Sequence, residues 1–223
     1  MVSPSIAMAG VVISLSYCYN KKMSIKAVLF DMGKVLIRFD FDPAFRKLAP
    51  LCKKTPRQVQ DFFSESGLEV LYDGGKISSL DFHRQVRRGL GHSLDFEQFR
   101  DIWNGIFTPV PGMAALARRL AKTHRLVLVS NTNAMHFEHV KKHYSVLDVF
   151  DRHVLSFKEK VRKPDPRIYR TALKACRAKP HEVLYIDDRE DLTQAARELG
   201  LHVHTFKNDR KKLEGVLKKH GAL

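Results

Sequence analysis

The stretch Lys26-Ala-Val-Leu-Phe-Asp-Met-Gly-Lys-Val-Leu-Ile37 decides the fold. Its apolar run from Ala27 to Phe30 is long enough for a buried strand, and it stops at Asp31. A carboxylate at the carboxyl end of a buried strand stands where open α/β sheets bind their ligands, and Gly33 allows a tight turn beside it. Two interpretations are open at this point: Asp31 carries chemistry, or it only ends a strand.

Apolar runs alternate with helical patterns along the second half of the chain. A strand, a helix and a further parallel strand form the unit of doubly wound sheets, in which helices cover both faces. The predicted fold class is therefore α/β, with a doubly wound, parallel, Rossmann-like sheet. The predicted strands are 27–30, 125–130, 153–156, 183–186 and 201–206, and the predicted helices are 111–122, 134–143, 166–176, 190–199 and 211–219.

Helical patterns without a strand between them separate the first predicted strand from the second. Thr55-Pro56 is a typical helix start, and aromatic residues recur at a spacing of three and four, which is typical of packing faces. The sequence therefore predicts an inserted four-helix cap at residues 41–107, on a core formed by residues 25–40 and 108–223.

Residues 1–24 do not share these patterns. The apolar run at 6–19 is too short to span a bilayer, and residues 1–10 lack the basic start of a secretory signal. Met23 stands just before the first strand, like a natural start. We expect an upstream extension outside the fold and no stable membrane association; a membrane anchor is the second interpretation.

The chain has 223 residues and a formal net charge of +15. Its basic residues come in scattered pairs and do not alternate with aromatic residues, so we expect no nucleic-acid partner. A small phosphorylated metabolite suits the charge equally well. Cys18, Cys52 and Cys176 have the spacing of neither a zinc site nor a disulfide framework, which favours a reducing, cytoplasmic location.

Three of the predicted strands end in polar side chains, at Asp31, at Ser130-Asn131 and at Asp187-Asp188. The carboxyl ends of parallel strands lie at one edge of a sheet, so these side chains can converge. Carboxylates such as Asp31 and Asp187 form a hard oxygen site of the kind that holds Mg²⁺.

The same edge offers groups for phosphoryl transfer. Ser130 and Asn131 carry a hydroxyl and an amide for phosphoryl oxygens, and Lys163 could neutralise developing charge. An aspartate held against a metal and a phosphate can attack it and form an aspartyl-phosphate. Each feature also has an ordinary alternative: a turn at Ser130-Asn131, a surface lysine at Lys163, and a helix N-cap at Asp187-Asp188.

Four motifs stand at or near these strand ends: Phe30-Asp31-Met32-Gly33-Lys34-Val35-Leu36, Ser130-Asn131-Thr132, Arg162-Lys163-Pro164, and Ile186-Asp187-Asp188 with Asp191. In these motifs the sequence resembles the haloacid dehalogenase-like hydrolase superfamily, over residues 25–219. It is most similar to the phosphatases typified by the bacterial α-D-glucose-1-phosphate phosphatase, and the helical insertion matches the four-helix cap. The resemblance implies a Mg²⁺-dependent phosphatase that acts on a small phosphate ester, with sugar phosphates as one candidate class.

The resemblance also implies roles for single residues. Asp31 would be the nucleophile and a Mg²⁺ ligand, with the backbone carbonyl of Gly33 and the carboxylate of Asp187 as further ligands. Asp188 and Asp191 would order this metal shell or the catalytic lysine.

On the phosphoryl side, the resemblance assigns the phosphate-binding groups to Ser130 and to the backbone of Asn131. Lys163 would stabilise the negative charge of Asp31 and of the transferring group. An aspartyl-phosphate intermediate on Asp31 is implied.

Gly33 departs from the superfamily's commonest pattern, in which a second aspartate at this position acts as general acid and base. Such catalysis typically contributes about 10²–10⁴-fold, so the glycine predicts slow turnover or a restriction to good leaving groups. The glucose-1-phosphate phosphatase group has the same glycine, so inactivity does not follow.

Two other functions stay open. A 2-haloacid dehalogenase also uses an aspartate nucleophile without the second aspartate, but it needs no Mg²⁺ and leaves Asp187-Asp188 unexplained. A catalytically impaired module that binds a ligand or a partner is the other alternative. Specificity is expected from the cap; Lys34, Arg38 and Tyr72 are candidates, each better explained as structural.

Overall fold

Strand β1 (Ala27–Phe30) lies at the centre of a five-stranded parallel sheet in the computed structural model, which describes residues 24–223. The extension predicted at residues 1–24 falls, apart from Ser24, outside the described residues. The remaining strands are β2 (Ile37–Phe39), β3 (Phe107–Pro109), β4 (Arg125–Ser130), β5 (Arg152–Leu155), β6 (Val183–Asp187) and β7 (His202–Thr205).

The strand order in the sheet is β5-β4-β1-β6-β7, so β1 pairs in parallel with β4 and with β6. The predicted α/β class with a doubly wound parallel sheet is confirmed. The helices are α1 (Asp42–Leu51), α2 (Pro56–Ser66), α3 (Leu68–Asp73), α4 (Ser79–Leu90), α5 (Phe96–Asn104), α6 (Met113–Leu120), α7 (Ala134–His143), α8 (Ser156–Glu159), α9 (Pro166–Cys176), α10 (Glu190–Glu198) and α11 (Arg210–Lys219).

Strand β1 is apolar throughout because both faces of the sheet are covered. Successive side chains of a strand point to opposite faces. Val28 and Phe30 therefore pack with α6, α7 and α11, whereas Ala27 and Leu29 pack with α9 and α10 on the other side. The sheet is held rigidly between these two apolar clusters, and its strand ends are fixed in position.

Helices α1 to α5 form the insertion between β1 and β4. The four predicted helices are present, and the short helix α3 is an additional one. Gly67 ends α2 with a left-handed φ of 66°, and α3 begins at the next residue. The Thr55 side chain caps α2 in a capping box, and a proline follows at the first helical position, as the sequence predicted.

The insertion has its own apolar cluster, to which the core contributes Met135 from α7. Aromatic rings dominate it: Phe63 lies 4.7 Å from Trp103 and Tyr72 lies 4.6 Å from Phe82, measured between ring centroids. Within residues 24–223, no helix has both the length and the apolar character needed to cross a bilayer.

A two-stranded antiparallel ribbon of β2 and β3 lies where the chain leaves and re-enters the core. Its register pairs Ile37 with Pro109 and Phe39 with Phe107. The sequence pattern does not predict this ribbon, because strands of three residues are too short to show a period. The ribbon joins the two ends of the insertion.

Candidate active site

Three neighbouring strand ends meet at one edge of the sheet. Asp31 directly follows β1, Ser130 ends β4 and Asp187 ends β6, and these three strands are adjacent in the order β4-β1-β6. The Asp31 amide donates to the Ile186 carbonyl at 2.9 Å, which continues the ladder by one residue and fixes the backbone of Asp31. The convergence expected from a parallel sheet is therefore present.

The ammonium group of Lys163 connects two of these strand ends. Lys163 Nζ donates to Asp31 Oδ1 and to Asp187 Oδ2, each at 2.7 Å. It also lies 3.1 Å from the Val129 carbonyl oxygen and 3.2 Å from the Tyr185 hydroxyl. The Lys163 side chain is only 1% exposed, so this buried charge depends on its two carboxylate partners.

The Asn131 side chain holds Lys163 in place. Asn131 Nδ2 donates to the Lys163 carbonyl at 2.9 Å, and the Lys163 amide donates to Asn131 Oδ1 at 2.8 Å. This pair of bonds ties the loop after β4 to the loop that carries Lys163. The side chain of Asn131 is thus occupied, which leaves its backbone amide for a ligand.

Burial determines the electrostatics of this group. Desolvation raises the pKa of Asp31 to about 7, although the nearby Lys163 ammonium opposes the rise. Burial also disfavours the charged form of Lys163, but the attraction of Asp31 and Asp187 outweighs it, so the pKa of Lys163 lies above its usual value. Burial and the neighbouring Asp187 raise the pKa of Asp188, and Lys34 opposes this.

The carboxylates of Asp31, Asp187 and Asp188 suit a divalent cation. Each offers an oxygen, and these oxygens lie within 4.8 Å of one another. One buried ammonium lies beside three carboxyl groups, and the raised pKa values of Asp31 and Asp188 mean that burial and crowding oppose their full ionisation without a further cation. Hard oxygen donors are what Mg²⁺ selects, and the residues present therefore fit the ion.

A cavity of 320 Å³ opens above these carboxylates, between the core and the insertion. Its floor is formed by Asp31, Ser130, Lys163 and Asp188. The volume is in the range typical of small-molecule sites. The candidate catalytic residues are therefore accessible to a small ligand.

The position of Gly33 faces an aromatic ring. A Cβ atom placed on Gly33 would lie 2.9 Å from Phe39 Cε1, closer than a carbon atom normally approaches. The ring of Phe39 thus occupies the space where an acid–base side chain at this position would begin.

Residues 25–200 match the family model of the haloacid dehalogenase-like hydrolases. The chain belongs to the haloacid dehalogenase-like hydrolase family. This match confirms the resemblance that the strand-end motifs showed. As a member of this family, the chain is a hydrolase.

Two curated relatives of this hydrolase are phosphatases. The D-ribitol-5-phosphate phosphatase of Bacteroides thetaiotaomicron is 27% identical over 191 residues, which cover 82% of this chain and 93% of the relative. A sesquiterpene phosphatase of Aspergillus oryzae is 27% identical over 179 residues, which cover 79% of this chain and 87% of the relative. The two names describe organic groups of very different polarity.

A solved structure of a haloacid dehalogenase family enzyme from Bacteroides thetaiotaomicron, in complex with magnesium and inorganic phosphate, is similar to this hydrolase. The TM-score is 0.78 at 27% identity, and the match covers 85% of this chain and 99% of the other. The likeness thus includes the insertion as well as the sheet.

The structure does not bring every predicted site residue of this hydrolase together. Asp191 lies in the first turn of α10, and its exposed carboxylate pairs with Arg189 at 2.6 Å. It contacts neither Lys163 nor the three clustered carboxylates. The structure therefore places Asp191 outside the group formed by Lys163 and the three carboxylates.

The three candidate specificity residues, Lys34, Arg38 and Tyr72, lie in different places in the structure. Lys34 lines the cavity, as expected of a group that faces the ligand. Arg38 instead donates to Asn208 Oδ1 at 2.7 Å on the exposed side of the ribbon. The Tyr72 hydroxyl is bonded to Ser79 of the insertion and to the Met135 amide of the core, so Arg38 and Tyr72 have structural contacts.

Tyr185 is a site residue that the sequence analysis missed. Its hydroxyl donates to Asp187 Oδ2 and accepts a hydrogen bond from Lys163 Nζ. A signal was present, because a tyrosine two residues before the strand-end aspartate points to the same face of the strand. A polar atom in an otherwise apolar buried strand needs a partner, and here the partners are the candidate site residues Asp187 and Lys163.

We expect Tyr185→Phe to lower the free energy of unfolding by about 1–3 kcal/mol, since Asp187 and Lys163 each lose a buried partner. Looser positioning of both groups should lower kcat/KM by about 10- to 100-fold. Urea denaturation and steady-state kinetics measure the two effects.

Tyr72→Phe is the matched control, because the Tyr72 hydroxyl is also buried but bonds to Ser79 and to the Met135 amide, away from the strand-end carboxylates. We expect it to be destabilised by about 1 kcal/mol and to keep its kcat/KM. Equal losses of activity in the two variants would contradict a positioning role for Tyr185.

Proposed function

We propose that this hydrolase is a Mg²⁺-dependent phosphatase that acts on a small phosphate ester through a phosphorylated Asp31. The observation that carries the proposal is the buried Asp31 carboxylate at the floor of the cavity, beside two further carboxylates and bonded to Lys163. The phosphatase names of the two relatives and the magnesium and phosphate complex of the similar structure support it.

The reaction would proceed in two steps on Asp31. A carboxylate oxygen attacks phosphorus, the bond from phosphorus to the ester oxygen breaks, and the alcohol leaves. Water then attacks the phosphorus of the aspartyl-phosphate, which releases inorganic phosphate and restores the carboxylate. Lys163 holds Oδ1 at 2.7 Å throughout, and this orients the other oxygen towards the cavity.

Ser130 and Asn131 would hold the phosphoryl oxygens. Among residues 24–223, the buried Ser130 hydroxyl has only a long hydrogen-bond contact of 3.5 Å, to the neighbouring Asn131 carbonyl, so it is free to donate to a ligand. The Asn131 backbone amide is the second donor. Both groups would stabilise negative charge that develops on the phosphoryl oxygens.

Asp31, Asp187 and the Gly33 carbonyl would hold Mg²⁺, and Asp188 would support this shell. When bound, the ion neutralises the charge of the phosphoryl group and of the crowded carboxylates. Gly33 offers no side chain to protonate the leaving alcohol, so solvent would deliver that proton.

The dehalogenase alternative is weaker, because its reaction leaves the cluster of Asp31, Asp187 and Asp188 without a purpose. The binding-module alternative rests on Gly33 alone. No observation within the described residues favours either one over a phosphatase.

Metal removal tests the proposal directly. We expect EDTA to lower the turnover of 4-nitrophenyl phosphate by about 100-fold or more, because the ion supplies several kcal/mol of charge stabilisation, and added Mg²⁺ to restore it. Turnover that resists EDTA would contradict the proposal. Halide release from a 2-haloacid would favour the dehalogenase, and no turnover of any phosphate ester would favour the binding module.

A further inference from the structure

The cavity above Asp31 has two unlike walls. One wall is aromatic and comes from the ribbon and the insertion. The other is polar and joins α3 of the insertion to the core. The aromatic wall is lined by Phe39, Phe41, Trp103 and Phe107, and the polar wall by Glu69, Asp73, Asn133 and Arg162.

The polar groups of Asp73, at the end of α3, are already bonded to core residues. Its Oδ1 accepts a hydrogen bond from Asn133 Nδ2 at 3.0 Å, and its Oδ2 lies 3.9 Å from Arg162 Nη2. The Ser156 hydroxyl donates to its backbone carbonyl at 2.5 Å. These contacts fix α3 against the core and so fix the place of Glu69, one helical turn earlier.

Glu69 differs from Asp73 in having no such partner. Within residues 24–223 its carboxylate makes neither a hydrogen bond nor an ion pair, although the residue is half-buried in the cavity. Burial and the nearby Asp73 raise the pKa of Glu69 to about 7, and Arg162 opposes this. A buried carboxylate without a partner is costly, so a ligand that donates to it would relieve the cost.

Arg162 supplies the complementary group. Its side chain lines the cavity and is 32% exposed, and its guanidinium makes no hydrogen bond within residues 24–223; its ion-pair contact, with Asp73, is a long one of 3.9 Å. The polar wall thus presents a free acceptor and a free donor, and a hydroxyl group can satisfy both kinds of atom.

We propose that Glu69 and Arg162 bind hydroxyl groups of the leaving alcohol, so that the substrate is the phosphate ester of a polyhydroxylated alcohol, a sugar or an alditol. This inference rests on the proposed phosphatase function. Hydroxyl groups donate to Glu69 and accept from the guanidinium of Arg162, while the carbon–hydrogen face of the alcohol packs on the aromatic wall.

Other leaving groups fit the two walls less well. An apolar chain would leave the Glu69 carboxylate buried without a partner. A second anionic group would meet Glu69 and Asp73, whose two negative charges exceed the single positive charge of Arg162. A cationic alcohol would satisfy Glu69 but would be repelled by the guanidinium of Arg162 and would leave it without an acceptor.

The kinetic test compares 4-nitrophenyl phosphate with a panel of sugar phosphates, alditol phosphates, a prenyl phosphate and phosphocholine. We expect Glu69→Ala to lower kcat/KM for the preferred sugar or alditol phosphate by about 10- to 100-fold, mainly through a higher KM. The same variant should lower kcat/KM for 4-nitrophenyl phosphate by less than about twofold, because this ester has no hydroxyl groups for Glu69 to bind. Glu69→Gln keeps an acceptor atom and should rescue part of the loss.

Glu65→Gln is the matched control, because Glu65 is exposed on α2 and lies outside the cavity. It should behave like the wild type with every ester. The inference is overturned by equal losses on all esters in Glu69→Ala, by no loss, or by a wild-type preference for phosphocholine or the prenyl phosphate. Failure of the wild type on 4-nitrophenyl phosphate would instead reject the proposed phosphatase function, and the inference with it.

A stability measurement tests the state of Glu69 without any substrate. Because the pKa of Glu69 is raised to about 7 from an ordinary 4.5, the folded chain holds the proton more tightly than the unfolded chain. Ionisation therefore destabilises the fold as pH rises from about 4.5 to 7. Asp73 and Arg162 are the charged groups that face Glu69 in this range.

Glu69→Gln removes this penalty. We expect its Tm to exceed that of the wild type by about 2–5 °C at pH 8, and the difference to vanish near pH 4. If Glu69→Gln and the wild type have the same Tm at pH 8 as well as at pH 4, Glu69 is not a buried carboxylate without a partner, and the inference is overturned. Glu65→Gln should show no such pH-dependent difference.

Discussion

Asp31→Asn should abolish phosphate ester hydrolysis, with a fall in kcat of about 10⁴-fold or more. The amide has nearly the same shape as the carboxylate, but it is a poor nucleophile and a weaker metal ligand. The proposed reaction requires the carboxylate at position 31 as its nucleophile. The measurement is steady-state turnover of 4-nitrophenyl phosphate, with circular dichroism to show that the variant is folded.

Two further observations make the Asp31→Asn result specific. Intact mass spectrometry of acid-quenched wild-type enzyme should detect phosphorylated protein during turnover, and the variant should show none. Asp191→Asn is the matched control, because the Asp191 carboxylate is exposed and paired with Arg189. We expect it to change kcat by less than about twofold. Turnover of Asp31→Asn within tenfold of the wild type would contradict the covalent mechanism.

The sequence was sufficient to predict the strand ends of the site, for a physical reason. Parallel strands buried on both faces appear as continuous apolar runs, and a polar residue that ends such a run stands out. Asp31, Ser130 and Asp187 were found in this way, and the rule that carboxyl ends share one edge placed them together. Lys163 has no comparable local signal, and its place beside Asp31 was implied by the family resemblance.

The remaining features depend on contacts between distant segments. The ribbon of β2 and β3 pairs three-residue strands across the whole insertion, and such strands have no period to detect. The position of Phe39 against Gly33 follows from that ribbon. Glu69 is an ordinary helical glutamate in the sequence, and only the docking of α3 on the core shows that its carboxylate has no partner.

Lys163→Met is the second prediction with a large effect, and it concerns stability as well as activity. Lys163 is a single buried ammonium that donates to both Asp31 and Asp187 at 2.7 Å. Its removal leaves two buried carboxylates without their counter-charge, a change that typically costs about 3–5 kcal/mol. Urea denaturation in EDTA should show this loss. Because the proposed Mg²⁺ site uses the same carboxylates and exists in the folded state, added Mg²⁺ should restore part of it.

The activity of Lys163→Met should fall by about 10³-fold even at saturating Mg²⁺, since the loss of a preorganised positive charge beside the transferring group weakens transition-state stabilisation. Lys174→Met, on the exposed side of α9, is the matched control and should stay within about 0.5 kcal/mol of the wild type. A Lys163→Met variant as stable as the wild type in EDTA would show that the carboxylates of Asp31 and Asp187 do not both carry charge in the metal-free protein. The charge balance argued for this site would then be wrong.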